Sequence, residues 1–164
     1  MPCTKPPGFS PVPIPEPQFD DLYRELLLDH MRHPRNRGTL EHPTHRLEGV
    51  NPVCGDEVHL DVAVGDSVIR DIAFSGLGCS ISQSSASMLT ENVKGRELQD
   101  VARLRDHFQA MLVEGAEPDR DLGDLEAFQG VAKFPVRVKC AMLPWKVLGE
   151  VIEGADSVPQ GDMH

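Results

Sequence analysis

Apolar residues along this chain recur with two different spacings, and the change from one to the other divides it into elements. Phe19, Leu22, Tyr23, Leu26 and Leu27 follow the spacing of a helix starting near Pro17. Asp20 and Asp21 suit its positive N-terminal end, and Pro34 stops it. Residues 33–53, rich in His, Pro, Arg and Gly, read as a long connection with a short strand around Arg46 to Gly49. From Glu57 to Val64 the period falls to two. Val58, Leu60, Val62 and Val64 alternate there with Glu57, His59, Asp61 and Ala63, the pattern of a half-buried strand. Gly65-Asp66-Ser67 turns the chain into a second β-rich stretch, Val68 to Ser75, although Arg70 and Asp71 blur its faces. An antiparallel hairpin is the simplest arrangement of the two.

Helical spacing returns after Gly76-Leu77-Gly78-Cys79, in Ile81, Ser85, Met88, Leu89 and Asn92, with Gly95 as the C-terminal stop. A third helix carries Val101, Leu104, Phe108, Met111 and Leu112. Residues 114–136 are punctuated by Gly115, Pro118, Gly123, Gly130 and Pro135, which predicts a loop with one short helix. The last helix is expected to begin close to Pro144, because proline is tolerated in the first turn, and to bury Trp145, Leu148, Val151 and Ile152. The fold class expected from these elements is α+β, a small antiparallel sheet of about three strands packed against several helices.

A length of 164 residues suits one domain with a real core. Seven of the fourteen prolines fall in the first 17 residues, so residues 1–17 are expected to be a disordered, extended tail. The domain is expected over 18–154, and 155–164 as a second tail. A net charge of -10 repels a phosphate backbone and argues against nucleic acid as a partner. One Trp and one Tyr leave little for a base-stacking platform. No apolar run approaches the roughly 20 residues of a membrane span, and the first residues lack a signal peptide's apolar core. The expectation is a soluble cytoplasmic protein with no membrane partner.

The chemistry lies in the cysteines. Cys3, Cys54, Cys79 and Cys140 are too few and too scattered for a disulfide framework, and a reducing compartment keeps them as thiols. Cys54 sits in a Pro-x-Cys-Gly-Asp turn ahead of a strand, and Cys79 and Cys140 are each expected just before a helix. A helix N-terminus favours thiolate over thiol, which suits metal binding or nucleophilic attack. Glycines 55, 76 and 78 leave room beside the sulfurs, and Asp56 can add an oxygen. Three thiolates and a carboxylate suit a tetrahedral ion such as zinc. Spacing alone leaves three unrelated buried thiols as an open alternative. His42 and His45, in a polar loop, read as solvated, and Cys3 as an ordinary thiol.

Three blocks, Asn51-Pro-Val-Cys-Gly-Asp56, Gly76-Leu-Gly-Cys-Ser-Ile-Ser82 and Val136-Arg-Val-Lys-Cys-Ala-Met-Leu-Pro-Trp145, resemble the U-type iron-sulfur assembly proteins, most closely their SufU branch. The resemblance runs from about Phe19 to Gly154. It implies a compact SufE/IscU-like α+β domain in which Cys54, Asp56, Cys79 and Cys140 are zinc ligands. Lys139 stands where the IscU branch has a histidine, and Leu143-Pro-Trp-Lys146 replaces the stretch that branch's Hsp70 chaperone reads. The longer spacer between Cys79 and Cys140, and Arg137, match the SufU branch instead, which makes Arg137 a secondary functional candidate.

The resemblance implies a zinc-dependent sulfurtransferase that takes persulfide sulfur from a pyridoxal-phosphate cysteine desulfurase, with Cys54 as the acceptor freed from zinc. A downstream scaffold complex of the same system would take the sulfur on. Two other readings use the same residues. One is a scaffold holding a nascent [2Fe-2S] cluster, and the other a structural zinc module for protein binding.

Overall fold

The computed structural model describes residues 21–157. The elements run α1 (Asp21–Arg32), β1 (His45–Asn51), β2 (Asp56–Gly65), β3 (Val68–Leu77), α2 (Ser80–Val93), α3 (Leu98–Val113), a 3-10 segment (Arg120–Lys133) and α4 (Pro135–Ser157). The proline-rich tail expected over 1–17, with Cys3, lies outside the described residues. So does most of the tail expected at 155–164, into which α4 runs as far as Ser157.

The three strands form one antiparallel sheet in the order β1-β2-β3. The alternation seen in the sequence holds at Val58, Leu60 and Val62, which are fully buried, whereas Val64 is half-buried and Asp61 is buried as well, accepting from the Leu40 N–H at 3.0 Å. Asp66 and Ser67 both have positive φ (54° and 63°), which gives the two-residue hairpin turn whose twist matches the strands. The blurred faces of β3 also have a cause. Ala63 pairs with Asp71 and Val64 with Ile69, so Arg70 is an extra residue, and this bulge lets Ile69 and Ile72 both point inward. β1 is longer than the strand expected at Arg46 to Gly49. As an edge strand it exposes His45, Arg46, Glu48 and Val50, so hydrophobic periodicity barely marks it.

The centre of the fold is α2, a helix buried on most of its circumference yet rich in hydroxyls. Each buried hydroxyl has a partner on another element. Ser84 Oγ donates to Leu27 O (3.0 Å), Ser85 Oγ to Ala141 O (2.6 Å) and Thr90 Oγ1 to Arg35 O (3.1 Å). The Arg35 N–H in turn donates to Ser87 Oγ at 2.9 Å. A buried hydroxyl without a partner costs about 1–3 kcal/mol, so this helix fits only where those neighbours stand. Small side chains also let α1 and α4 approach closely.

Two expectations need correction. Residues 114–136 are more ordered than a loop with one short helix. The 3-10 segment fills fourteen residues, broken at Gly123 (φ 52°), and buries Leu122, Leu125, Phe128 and Val131. Phe128 meets Phe108 edge-on at 5.6 Å, and Phe108 stacks on Trp145 at 4.8 Å. The last helix begins at Pro135, not near Pro144, which lies inside it. Cys140 therefore sits within the helix rather than ahead of it. An interior proline costs about 3 kcal/mol. That cost is outweighed because Met142, Leu143, Trp145, Leu148, Val151 and Ile152 are all buried, each contributing about 1.5–3 kcal/mol. Pro135 takes the first-turn position that the rule reserves for proline.

Candidate metal centre

The connection between β1 and β2 carries Cys54. Asn51 pairs with Asp56, and the carbonyl of Asn51 accepts from the N–H groups of Cys54 (3.2 Å) and Gly55 (2.9 Å). Gly55 has φ +74°, a left-handed conformation that few other residues adopt without strain. This turn holds Cys54 half-buried at the surface and delivers Asp56, 1 % exposed, at the first position of β2.

Cys79 is the N-cap residue of α2, as expected, and its backbone N–H donates to Asp56 Oδ1 at 2.9 Å. Cys140 is brought in from α4. Its Sγ lies 3.1 Å from Cys54 Sγ and 3.5 Å from the carbonyl of Val136. Donor atoms of Cys54, Asp56 and Cys140 all lie within 4.8 Å of one another, and the described cysteines are free thiols. Cys79 is not part of that tight group, although its thiol acts on that of Cys140.

Electrostatics differ between these positions. Burial pushes the Cys140 thiol far above the ordinary range, and its contacts with Cys54, Asp56 and Cys79 push it the same way. No helix N-terminus offsets this, since Cys140 lies in the helix interior. The same crowding suits a cation. Asp56 Oδ1 is occupied by donors, whereas Asp56 Oδ2 is buried with no hydrogen-bond partner among the described residues. A buried carboxylate oxygen with nothing to neutralise it is expensive. Two free sulfurs beside it, with a third one contact away, form the S and O donor set that zinc accepts. The residues present therefore fit a divalent ion.

Arg137 is half-buried one helical turn before Cys140, and Lys139 is exposed. His42 and His45 are exposed, His45 at the end of β1 opposite the cysteines. A second cluster of ligand types, His107, Asp119 and Asp121, has Arg96 beside it, 4.0 Å from Asp121. One contributor to the centre, Ser82, had no role of its own in the sequence reading, whereas Gly78 was expected to leave room beside the sulfurs. Ser82 Oγ donates to Asp56 Oδ1 at 3.2 Å, and Gly78 leaves the space that both atoms occupy. The only signal for Ser82 was its place three residues after Cys79.

Residues 22–141 match the model of the NifU-like N-terminal domain. The chain belongs to that family. Within it, the chain is 44% identical over 132 residues to the zinc-dependent sulfurtransferase SufU of Bacillus subtilis (strain 168), covering 79% of this chain and 88% of that one. It is 39% identical over 138 residues to the iron-sulfur cluster assembly scaffold protein IscU of Streptococcus pyogenes serotype M1, covering 83% and 86%. A crystal structure from Fervidobacterium islandicum AW-1, described as an iron-sulfur cluster assembly scaffold protein for the SUF system, superposes with a TM-score of 0.74. Its identity is 34%, with 78% of this chain and 94% of that chain covered. The three-stranded sheet with its covering helices is thus the fold of this family.

Proposed function

We propose that this protein is a zinc-dependent sulfur carrier for iron-sulfur cluster assembly, accepting sulfur from a cysteine desulfurase in the cytoplasm. The observation that carries the reading is the convergence of half-buried Cys54, buried Cys140 and an Asp56 oxygen with no hydrogen-bond partner among the described residues. Its 44% identity to a zinc-dependent sulfurtransferase supports the same choice. Cys54, Asp56 and Cys140 would hold the ion, with Cys79 as the fourth ligand after a side-chain adjustment. Zinc, when bound, keeps its thiolate ligands deprotonated and partly neutralised.

Cys54 is the acceptor in this reading. Cys54 and Cys79 are both half-exposed, but Cys54 rides on a turn beside Gly55, whereas Cys79 caps a helix and Cys140 is buried in one. Its sulfur attacks the outer sulfur of the donor's persulfide. One S–S bond forms on Cys54 as another breaks, and the donor cysteine leaves as thiolate, so no outside oxidant is needed. Exposed Val53, Leu77 and Val136, one beside each cysteine-bearing segment, give a second protein an apolar rim to approach. Arg137 lies within a turn of the site and would favour an anionic persulfide there.

A second reading, a [2Fe-2S] scaffold, draws on the same thiols and on the scaffold proteins among the relatives. Anaerobic purification with metal analysis separates the two. A colourless protein with one zinc that stimulates its desulfurase supports the carrier; a brown protein with visible absorbance supports the scaffold. Cys54→Ala is expected to abolish the stimulation, and undiminished turnover in that variant would exclude Cys54 as acceptor.

A further inference from the structure

Asp56 is held asymmetrically. Its Oδ1 accepts two hydrogen bonds, from the Cys79 N–H at 2.9 Å and from Ser82 Oγ at 3.2 Å, while its Oδ2 accepts none among the described residues. Both Asp56 and Ser82 are buried, at 1 % and 0 % exposure. Gly78 closes the arrangement from the other side. A Cβ built on it would collide with Ser82 Oγ and come within 2.7 Å of Asp56 Oδ1, so the backbone passes against the two atoms that form this bond.

Ser82 differs from the other buried hydroxyls of α2. Ser84 and Ser85 donate to main-chain carbonyls of α1 and α4 and so join helices, and Thr90 has only carbonyls in reach, Ser87 O at 2.8 Å and Arg35 O at 3.1 Å. Ser82 has two acceptors in reach, Asp56 Oδ1 and the carbonyl of Cys79 at 3.1 Å, but only one proton. A hydrogen bond to an ionised oxygen is roughly twice as strong as one to a neutral carbonyl. The carboxylate therefore takes that proton.

We infer that Ser82 is a positioning residue of the metal centre: with the Cys79 N–H it fixes the Asp56 carboxylate, so that Oδ2 alone is presented to the ion. The inference rests on the metal-binding reading above. It adds that a single-oxygen ligand is set by a hydroxyl on α2, which itself does not touch the metal. Such outer partners of a ligand typically change metal affinity by 10- to 100-fold.

The test uses the full chain loaded with zinc, and with cobalt as a coloured substitute. In Ser82→Ala, zinc retention against a chromogenic chelator should weaken by about 10- to 100-fold, and the cobalt ligand-field bands should shift. Ser82→Thr, which keeps the hydroxyl, should restore both. Ser84→Ala, the same change two residues along the helix, should leave affinity and bands as in the parent. In an Asp56→Ala background, Ser82→Ala should add nothing further. Parental affinity and spectrum in Ser82→Ala overturn the inference, as does an undiminished effect of Ser82→Ala in the absence of Asp56. If the parent chain binds neither metal, the metal reading falls and this inference with it. Parental metal binding with no desulfurase response overturns the functional reading alone.

Discussion

Cys140 Sγ lies 3.1 Å from Cys54 Sγ although the two residues are 86 positions apart in sequence. Nothing local brings them together: one rides on a hairpin turn and the other on the last helix. This adjacency predicts a specific oxidation product. After chelation of the metal, a mild thiol oxidant such as diamide, which takes up two electrons and two protons, should join Cys54 to Cys140. Peptide mapping without reductant should show that pair, and the zinc-loaded protein should resist the reaction. Cross-linking confined to Cys79 or to pairs between molecules would contradict the arrangement.

Gly76 tests the geometry that leads into α2. Its φ is +124°, and a Cβ there would run into the backbone carbonyl of Glu57 on the paired strand. The atoms in the way, the carbonyl of Glu57 and the Cα of Val58, are all backbone. Gly76→Ala should therefore destabilise the protein by about 2–4 kcal/mol, combining backbone strain with a parted strand pair. A midpoint of urea unfolding within error of the parent would show that the strand pair has more room than this contact allows.

Ser85 is a hinge point of the packing rather than of the chemistry. It donates to Ala141 O at 2.6 Å and accepts from the buried indole Nε1–H of Trp145 at 3.2 Å. Ser85→Ala leaves that indole N–H without its acceptor, at a cost of about 1–3 kcal/mol. In a Trp145→Phe background the same change should cost measurably less, because the orphaned donor is gone. Equal costs in both backgrounds would show that the indole bond contributes nothing.

His30 makes stability depend on pH. It is buried, with Nδ1 2.7 Å from Ser87 Oγ and Nε2 3.4 Å from Glu91. Burial holds its pKa below the ordinary 6.5, and Arg35 pushes the same way, against the opposing pull of Glu91, Asp29 and Asp124. The unfolded chain therefore binds this proton more readily than the folded one. The stability His30 contributes is complete above about pH 6.5 and is lost as pH falls through the lower folded pKa. His30→Gln should flatten the fall in melting temperature between about pH 6.5 and 5. An unchanged slope would assign that fall to other groups.

Much of this protein can be read from local pattern. The apolar positions Val58, Leu60 and Val62 of the period-two run and the helical runs around Leu27, Met88 and Leu104 are buried as their spacing predicts. In α1 and α3 these signals are legible because one side of the helix meets the core and the other meets water, whereas α2 is buried on most of its circumference and its apolar positions mark only part of what it buries. β1 gave little signal for the opposite reason, since an edge strand exposes much of its length. The bulge at Arg70 spoiled the alternation of β3 at the point where the pairing itself shifts.

Sequence alone determined which residue types could serve a metal: cysteines and an aspartate flanked by glycines. Only the tertiary structure decided which of them meet. Cys140 joined Cys54 through a helix that runs past Pro144, because the apolar burial of that helix outweighs a lost hydrogen bond, a balance no local rule contains. Ser82 acquired its place beside Asp56 in the same way. A hydroxyl's role depends on the acceptor it faces, and that acceptor lies on a strand 26 positions away in the chain.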